Sequence, residues 1–187
     1  GYIGEQFPEV VRMILPYGQE VGCHGMFHHT DQAFDVLPYK EQLEHLEQAK
    51  GILEDISSQN VVSFRAPALR VNQDTPKALR EAGFLIDSSV ASQRMDFFLS
   101  FGAKEKFKWV TAPRKPYHTD EHNLAKKGDS HLLEITTTSL LLPFAGTFMR
   151  ISPILNRIIR SILHIEQQIF RHPVNFIIHP NEFIKEI

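Results

Sequence analysis

The chain has 187 residues, enough for one domain with a substantial core, and its 42% hydrophobic and 22% charged residues are the balance of an ordinary globular protein. A net charge of −2 gives no reason to expect nucleic acid or an anionic membrane as partner, and a single cysteine excludes an internal disulfide. No apolar run approaches the roughly 20 residues of a membrane-spanning helix: the longest, 139–144, is short and carries Pro143. No signal peptide is visible, which favours the cytoplasm for the chain as it stands. Gly1 nevertheless opens in mid-stride, without an initiating methionine, so the expectation is of a chain that starts upstream.

Residues 7–15 read as a short amphipathic helix. Phe7, Val10, Val11 and Ile14 recur at helical spacing, Pro8 suits the first turn, and Pro16 with Gly18 ends it. Residues 20–24 are a strand candidate running into a turn that carries His24, Gly25, His28 and His29, and 30–39 read as loop. A strong helix is predicted over 40–56, with Leu43, Leu46, Ala49, Ile52, Leu53 and Ile56 as its apolar stripe. Residues 61–65 form a short strand, 75–81 a helix stopping at Gly83, and 84–86 a second strand that delivers Asp87, Ser88 and Ser89. Residues 106–110 and 131–136 are weaker strand candidates flanking a polar loop, 112–130. Pro153 starts a long helix to Phe170, with Ile154, Leu155, Ile158, Ile159, Ile162, Leu163, Ile165 and Ile169 expected in the core. The last strand, 174–178, ends on His179.

Strands alternating with helices predict a parallel α/β arrangement, open sheet or barrel, in a single domain. The polar residues fall in a pattern. His24, Arg65, Asp87 and His179 each sit where a short apolar strand ends, which is where α/β folds build their sites. Imidazole is a common zinc ligand, and Gly25 lets the backbone turn so that His24 and His28 aim at one point. The same pair also suits a turn in which both histidines merely cap and pack. His29 reads as a surface residue, Asp87 with its serines as a strand-end turn as readily as a site, and Trp109 and Tyr117 as core aromatics more readily than sugar platforms.

Taken in order, Gly18–His28, Phe64-Arg65-Ala66-Pro67, Gly83–Ser89 and Ile177-Ile178-His179-Pro180-Asn181-Glu182 resemble the polysaccharide deacetylase family. This is the NodB-like group, also called carbohydrate esterase family 4. The likeness is nearest to its branch with a C-terminal His-Pro-Trp-Glu motif, where this chain has Asn181 for tryptophan. The resemblance implies a distorted (β/α) barrel that removes N-acetyl groups from an N-acetylated sugar polymer or glycan precursor with a divalent metal, most often Zn²⁺. It implies His24 and His28 as metal ligands and His179 as the acid that protonates the leaving amine. Arg65 would orient a catalytic aspartate, Asp87 would hold the arginine or histidine, and the Ala68 amide would face the oxyanion. His118, in the 112–130 loop, is a candidate for lining the substrate groove, and Glu182 a structural acceptor.

One departure is large. The family's first strand and its Asp-Asp pair, which supply the third metal ligand and the general base, have no counterpart in the first eighteen residues. The expectation is a truncated domain, catalytically weak and poor at binding metal by itself. A non-catalytic carbohydrate-binding or structural relative, and a hydrolase of small non-sugar amides, stand as alternatives.

Overall fold

The computed structural model describes residues 1–92, 109–140 and 142–179. Four short strands form the central sheet: β1 (Ser63–Phe64), β2 (Ile86–Asp87), β3 (Tyr117–His118) and β4 (Leu133–Glu134). They are ordered β1-β2-β4-β3, with β1, β2 and β4 parallel and β3 antiparallel to β4. Cys23 adds a parallel bridge to Phe64 at the β1 edge. The parallel-rich α/β sheet expected from the alternation is present. The barrel is not: among the described residues the sheet stays open, with no pairing between its Cys23 and β3 ends.

Helices α1 (Tyr2–Gln6) and α2 (Pro8–Ile14) occupy the N-terminal segment, where one helix over 7–15 was predicted. Phe7 supplies the break, with extended φ at −139°, and Pro8 then starts α2 in the position proline favours. Of the predicted apolar face only Val11 is buried; Phe7, Val10 and Ile14 are exposed. Helix α3 (Tyr39–Ser57) matches the prediction closely. Leu46, Ala49 and Leu53 are buried, while Leu43, Ile52 and Ile56 pack against the core from its margin. Full burial of a leucine such as Leu46 is worth about 1.5–3 kcal/mol.

Gln42 also lies on the buried stripe of α3, a place the hydrophobic pattern had left polar. Its amide donates to the Phe34, Leu37 and Asn72 oxygens at 2.8–3.0 Å and accepts from Thr75 Oγ1 at 2.9 Å. It thereby staples the loop before α3 to the start of α4 (Thr75–Glu81). Gly83 follows α4 at φ +78°, as its sequence position implied, and Lys50 from α3 caps the freed carbonyls of Ala82 and Gly83. The main core lies between these helices and the sheet, with Phe34, Phe64 and Phe84 in tilted contact at 5.2–5.7 Å.

The remaining expectations are met unevenly. Residues 20–24 and 174–178 make single bridges, Cys23 to Phe64 and Ile177 to Ala145, rather than full strands. The 112–130 segment is not all loop, because β3 lies within it and hydrogen-bonds to β4. Trp109 and Val110 form a tight helical turn, whereas 106–108 lie outside the described residues. A second antiparallel pair, β5 (Ser139–Leu140) with β6 (Leu142–Pro143), leads to α5 (Gly146–Ile151) and α6 (Pro153–Phe170).

Helix α6 has its predicted bounds but not its predicted burial. Ile159 and Leu163 are covered by Phe144 and its neighbours, whereas Ile154, Ile158, Ile162, Ile165 and Ile169 are exposed. At about 100° per residue these five share one flank of a stripe wider than the surface it packs on. Arg114 anchors the helix. Its guanidinium meets Glu166 at 2.7 Å through two nitrogens and reaches Ser139 O at 2.7 Å, while His172 joins Glu166 at 3.1 Å.

Candidate active site

The parallel strands and the Cys23 bridge all run the same way, so the residues that follow them collect along one edge. His24 follows the bridge, Arg65 and Ala66 follow β1, and Ser88 and Ser89 follow β2. Gly25 turns the chain at φ +72°, its Cα packed where an added Cβ would lie 3.2 Å from Phe34 and 3.3 Å from Pro67. That turn brings His24 and His28 together, ring centroids 5.5 Å apart and planes tilted by 54°. His24 Nδ1 lies 2.7 Å from the Arg65 carbonyl, a pure acceptor, so Nδ1 carries the hydrogen and Nε2 keeps its lone pair. A backbone carbonyl fixing the distal nitrogen in this way is the usual support of a metal-binding histidine.

Burial pushes the His24 pKa down to about 4; the Arg65 carbonyl opposes the shift, and His28, Arg65 and His179 add to it. The outer part of the residue is open to solvent, which screens and lessens that depression. His179 lies within electrostatic range of His24. A cleft of about 880 Å³ lies beside the pair, lined by His24, His28, His29, Met26, Phe27 and Asp31 among others. No third histidine, cysteine or carboxylate completes a metal-binding group among the described residues.

Arg65 is half-buried, its Nε donating to Ser88 O at 3.0 Å and its terminal nitrogen to Ser88 Oγ at 2.7 Å. Asp87 lies behind it, fully buried, and makes its hydrogen bonds elsewhere. Ser89 Oγ donates to Asp87 Oδ1 at 2.6 Å and accepts from the Ala66 amide at 2.9 Å. The turn that follows, Pro67–Leu69, holds Ala68 and Leu69 at φ +51° and +54°, a left-handed geometry that costs non-glycine residues roughly 1–2 kcal/mol each. Arg70, just beyond, pairs with Asp35 at 2.8 Å and ties the turn to the loop before α3.

Sequence reasoning missed Glu134. It stands in register with Asp87 on the neighbouring strand, and both carboxyls are fully buried. Two ionised carboxylates about 4 Å apart repel by about 4 kcal/mol even at an effective dielectric of 20. Both pKa values are raised, Glu134's the more strongly, by burial first; the Asp87 charge adds to the rise at Glu134. Tyr117, opposite Glu134 on β3, is pushed up as well, by burial and then by the two acids. The available signal was a single carboxylate inside the apolar run Leu132-Leu133-Glu134-Ile135.

The structure sets His118 apart from the His24–His28 pair. It follows Tyr117 on β3, four strand positions from the Cys23 edge and so on the order of 19 Å away. There its Nδ1 meets Ser130 O at 2.9 Å. Trp109 and Tyr117 are core residues. Asn181 and Glu182 lie outside the described residues.

Fold and site together define an α/β protein with ionisable groups gathered at the C-terminal ends of parallel strands. Residues 1–86 match the model of the polysaccharide deacetylase family. Over 91 residues the chain is 31% identical to the peptidoglycan deacetylase-like protein FGM2 of Gibberella zeae, covering 49% of this chain and 26% of that one. The crystal structure of a Mycobacterium smegmatis protein described as a polysaccharide deacetylase superposes with TM-score 0.52 at 27% identity, over 72% of this chain and 37% of that one. The 4-alpha-glucanotransferase of Thermococcus litoralis aligns over 97% of this chain and 25% of its own at TM-score 0.58 and 17% identity, a likeness of fold alone. The chain therefore spans about a quarter of the curated relative's length. No helix among the described residues is long and apolar enough to cross a membrane.

Proposed function

We propose that this chain is part of a hydrolase that removes N-acetyl groups from an N-acetylated sugar polymer with the help of a divalent cation, most simply Zn²⁺. The observation that carries the reading is the His24–Arg65 carbonyl bond, which leaves Nε2 of His24 free to bind a cation beside His28. The donor set fits zinc in kind, since both ligands are imidazoles, and needs a further ligand to complete it. When bound, such a cation supplies Lewis-acid polarisation of the amide carbonyl and a more acidic water.

The chain's own residues have separate tasks in this reading. The Ala68 amide, in its left-handed turn, donates to the oxyanion as the carbonyl carbon becomes tetrahedral. His179 hands a proton to the departing amine, a contribution of roughly 100-fold or more. Arg65, clamped by Ser88, keeps positive charge at the rim and holds His24 through its own carbonyl. Asp87 acts through Ser89 on the turn rather than by a direct hydrogen bond to Arg65.

The test is zinc content and acetate release on N-acetylglucosamine oligomers, with this chain compared with one extended upstream. Zinc binding and acetate release by the extended chain, both lost in His24→Ala and the release lost in His179→Ala, are the expected result. An extended chain that binds no zinc and releases no acetate refutes the reading and favours a non-catalytic, carbohydrate-binding relative.

A further inference from the structure

The two acids behind Arg65 are unequally solvated by hydrogen bonds. Asp87 receives Ser89 Oγ–H at 2.6 Å on Oδ1 and the Ser89 amide at 3.3 Å on Oδ2. Glu134 receives one donor, the Val90 amide at 3.1 Å on Oε1, and its buried Oε2 is offered none. A buried carboxylate oxygen without a donor is unfavourable if ionised, whereas a protonated one becomes a donor itself. Asp87 is the acceptor within reach, in register on the adjoining strand and in hydrogen-bonding contact.

We propose that Glu134 is a positioning residue whose Oε2–H donates to an ionised Asp87, so that the pair shares one proton and holds the 66–69 turn through Ser89. The relay runs Glu134 Oε2–H to Asp87, Ser89 Oγ–H to Asp87, and Ala66 N–H to Ser89 Oγ. Because Ala66 opens the turn, the acid pair sets where the Ala68 amide stands. The charged and titratable groups facing the pair are Arg65 from the β1 end and Tyr117 from β3. Arg65 favours one negative charge on the pair, and neither neighbour relieves the second. What the turn does in catalysis rests on the deacetylase reading; the shared proton and its relay do not.

Infrared spectroscopy at neutral pH reads the carbonyl stretch of a protonated carboxylic acid directly. The wild-type chain shows this band, and Glu134→Gln removes it. Absence of the band in the wild type, or its survival in Glu134→Gln, overturns the proton assignment. Amide hydrogen exchange at Ala66 reads the relay. Glu134→Ala accelerates it by about tenfold or more, while Glu134→Gln, whose amide can donate to Asp87 in place of the acid, keeps it within about threefold of wild type. Unchanged exchange in Glu134→Ala overturns the positioning role. Should that variant fail to fold by circular dichroism, wild-type exchange is followed into alkaline pH. Ala66 must then outpace the base-catalysed rise seen at Leu69, and parallel rises refute the relay. Neither readout involves acetate release, so a failed deacetylase reading leaves both interpretable.

Discussion

Replacing Glu166 with glutamine tests how the segment carrying His179 is held. Glu166 takes two 2.7 Å contacts from Arg114 and one at 3.1 Å from His172, and the three side chains are 18%, 12% and 4% exposed. Removing one partner of a fully buried ion pair costs about 3–5 kcal/mol; discounting for the partial exposure of Glu166 and Arg114 leaves about 2–3 kcal/mol. For a chain of this length each kcal/mol moves Tm by roughly 2–4 °C, so the expected drop is about 4–12 °C. The pair Arg80–Glu121 is the control, since its carboxylate partner Glu121 is 60% exposed and Glu121→Gln stays within about 0.5 kcal/mol. Thermal melts give the magnitude, and hydrogen exchange across 172–178 gives the location. His172 belongs to the Glu166 cluster, and the chain from it leads to His179, so exchange rises there before it rises in α3. A Glu166→Gln melt indistinguishable from wild type refutes the claim that this network anchors α6.

Three further outcomes follow from the geometry. Gly25→Ala forces φ +72° on a residue with a Cβ and crowds Phe34 and Pro67, costing at least about 1–2 kcal/mol and lowering zinc affinity of the upstream-extended chain by calorimetry; unaltered affinity would mean the turn does not aim the two histidines. Gln42→Leu removes four hydrogen bonds and leaves the Phe34 carbonyl without its Gln42 donor, while Leu37 O keeps only the longer bond from Asn72, for a loss of about 2–3 kcal/mol in urea unfolding; a neutral or stabilising result would show the staple is dispensable. The raised acids make stability fall with pH. In the folded state Glu134 keeps a proton that the unfolded chain releases near pH 4.3, so its contribution is complete below that value and is lost as pH rises through the folded pKa, by at most about 1.4 kcal/mol per pH unit. Glu134→Gln flattens this slope in urea midpoints taken at about pH 5 and pH 7, and parallel slopes in the two proteins would count against a raised Glu134.

Legibility followed the strength of local signals. Helices α3 and α6 were readable to within a residue or two because a long apolar period and Pro153 leave little choice. The left-handed end at Gly83 was readable for the same reason, since few other residues tolerate φ +78°. Burial was less legible than helicity. Seven isoleucines and leucines of α6 looked equivalent to Leu163, yet a helix surrounds its axis with side chains while one neighbouring surface covers only part of the circle. The strands were the weakest element: Tyr117 and His118 sit between prolines and polar residues, and their pairing with Leu133 and Glu134 is a fact of topology.

The candidate site divides along the same line. His24, Arg65 and Asp87 were visible because each terminates an apolar run, and a polar residue there has no packing reason to exist. Glu134 occupies an equivalent place at the end of β4 and stands in register with Asp87, but its run is followed by threonines that blend into a polar stretch. Sequence spacing cannot reveal that two carboxyls 47 positions apart share a row of one sheet. Only the order β2-β4 puts them side by side, and that adjacency converts two unremarkable acids into a pair that cannot both ionise. The consequence runs outward to the surface. Arg65 is oriented by Ser88, Ala66 by Ser89, and Ser89 by Asp87, so the rim takes its geometry from a charge buried one layer below it.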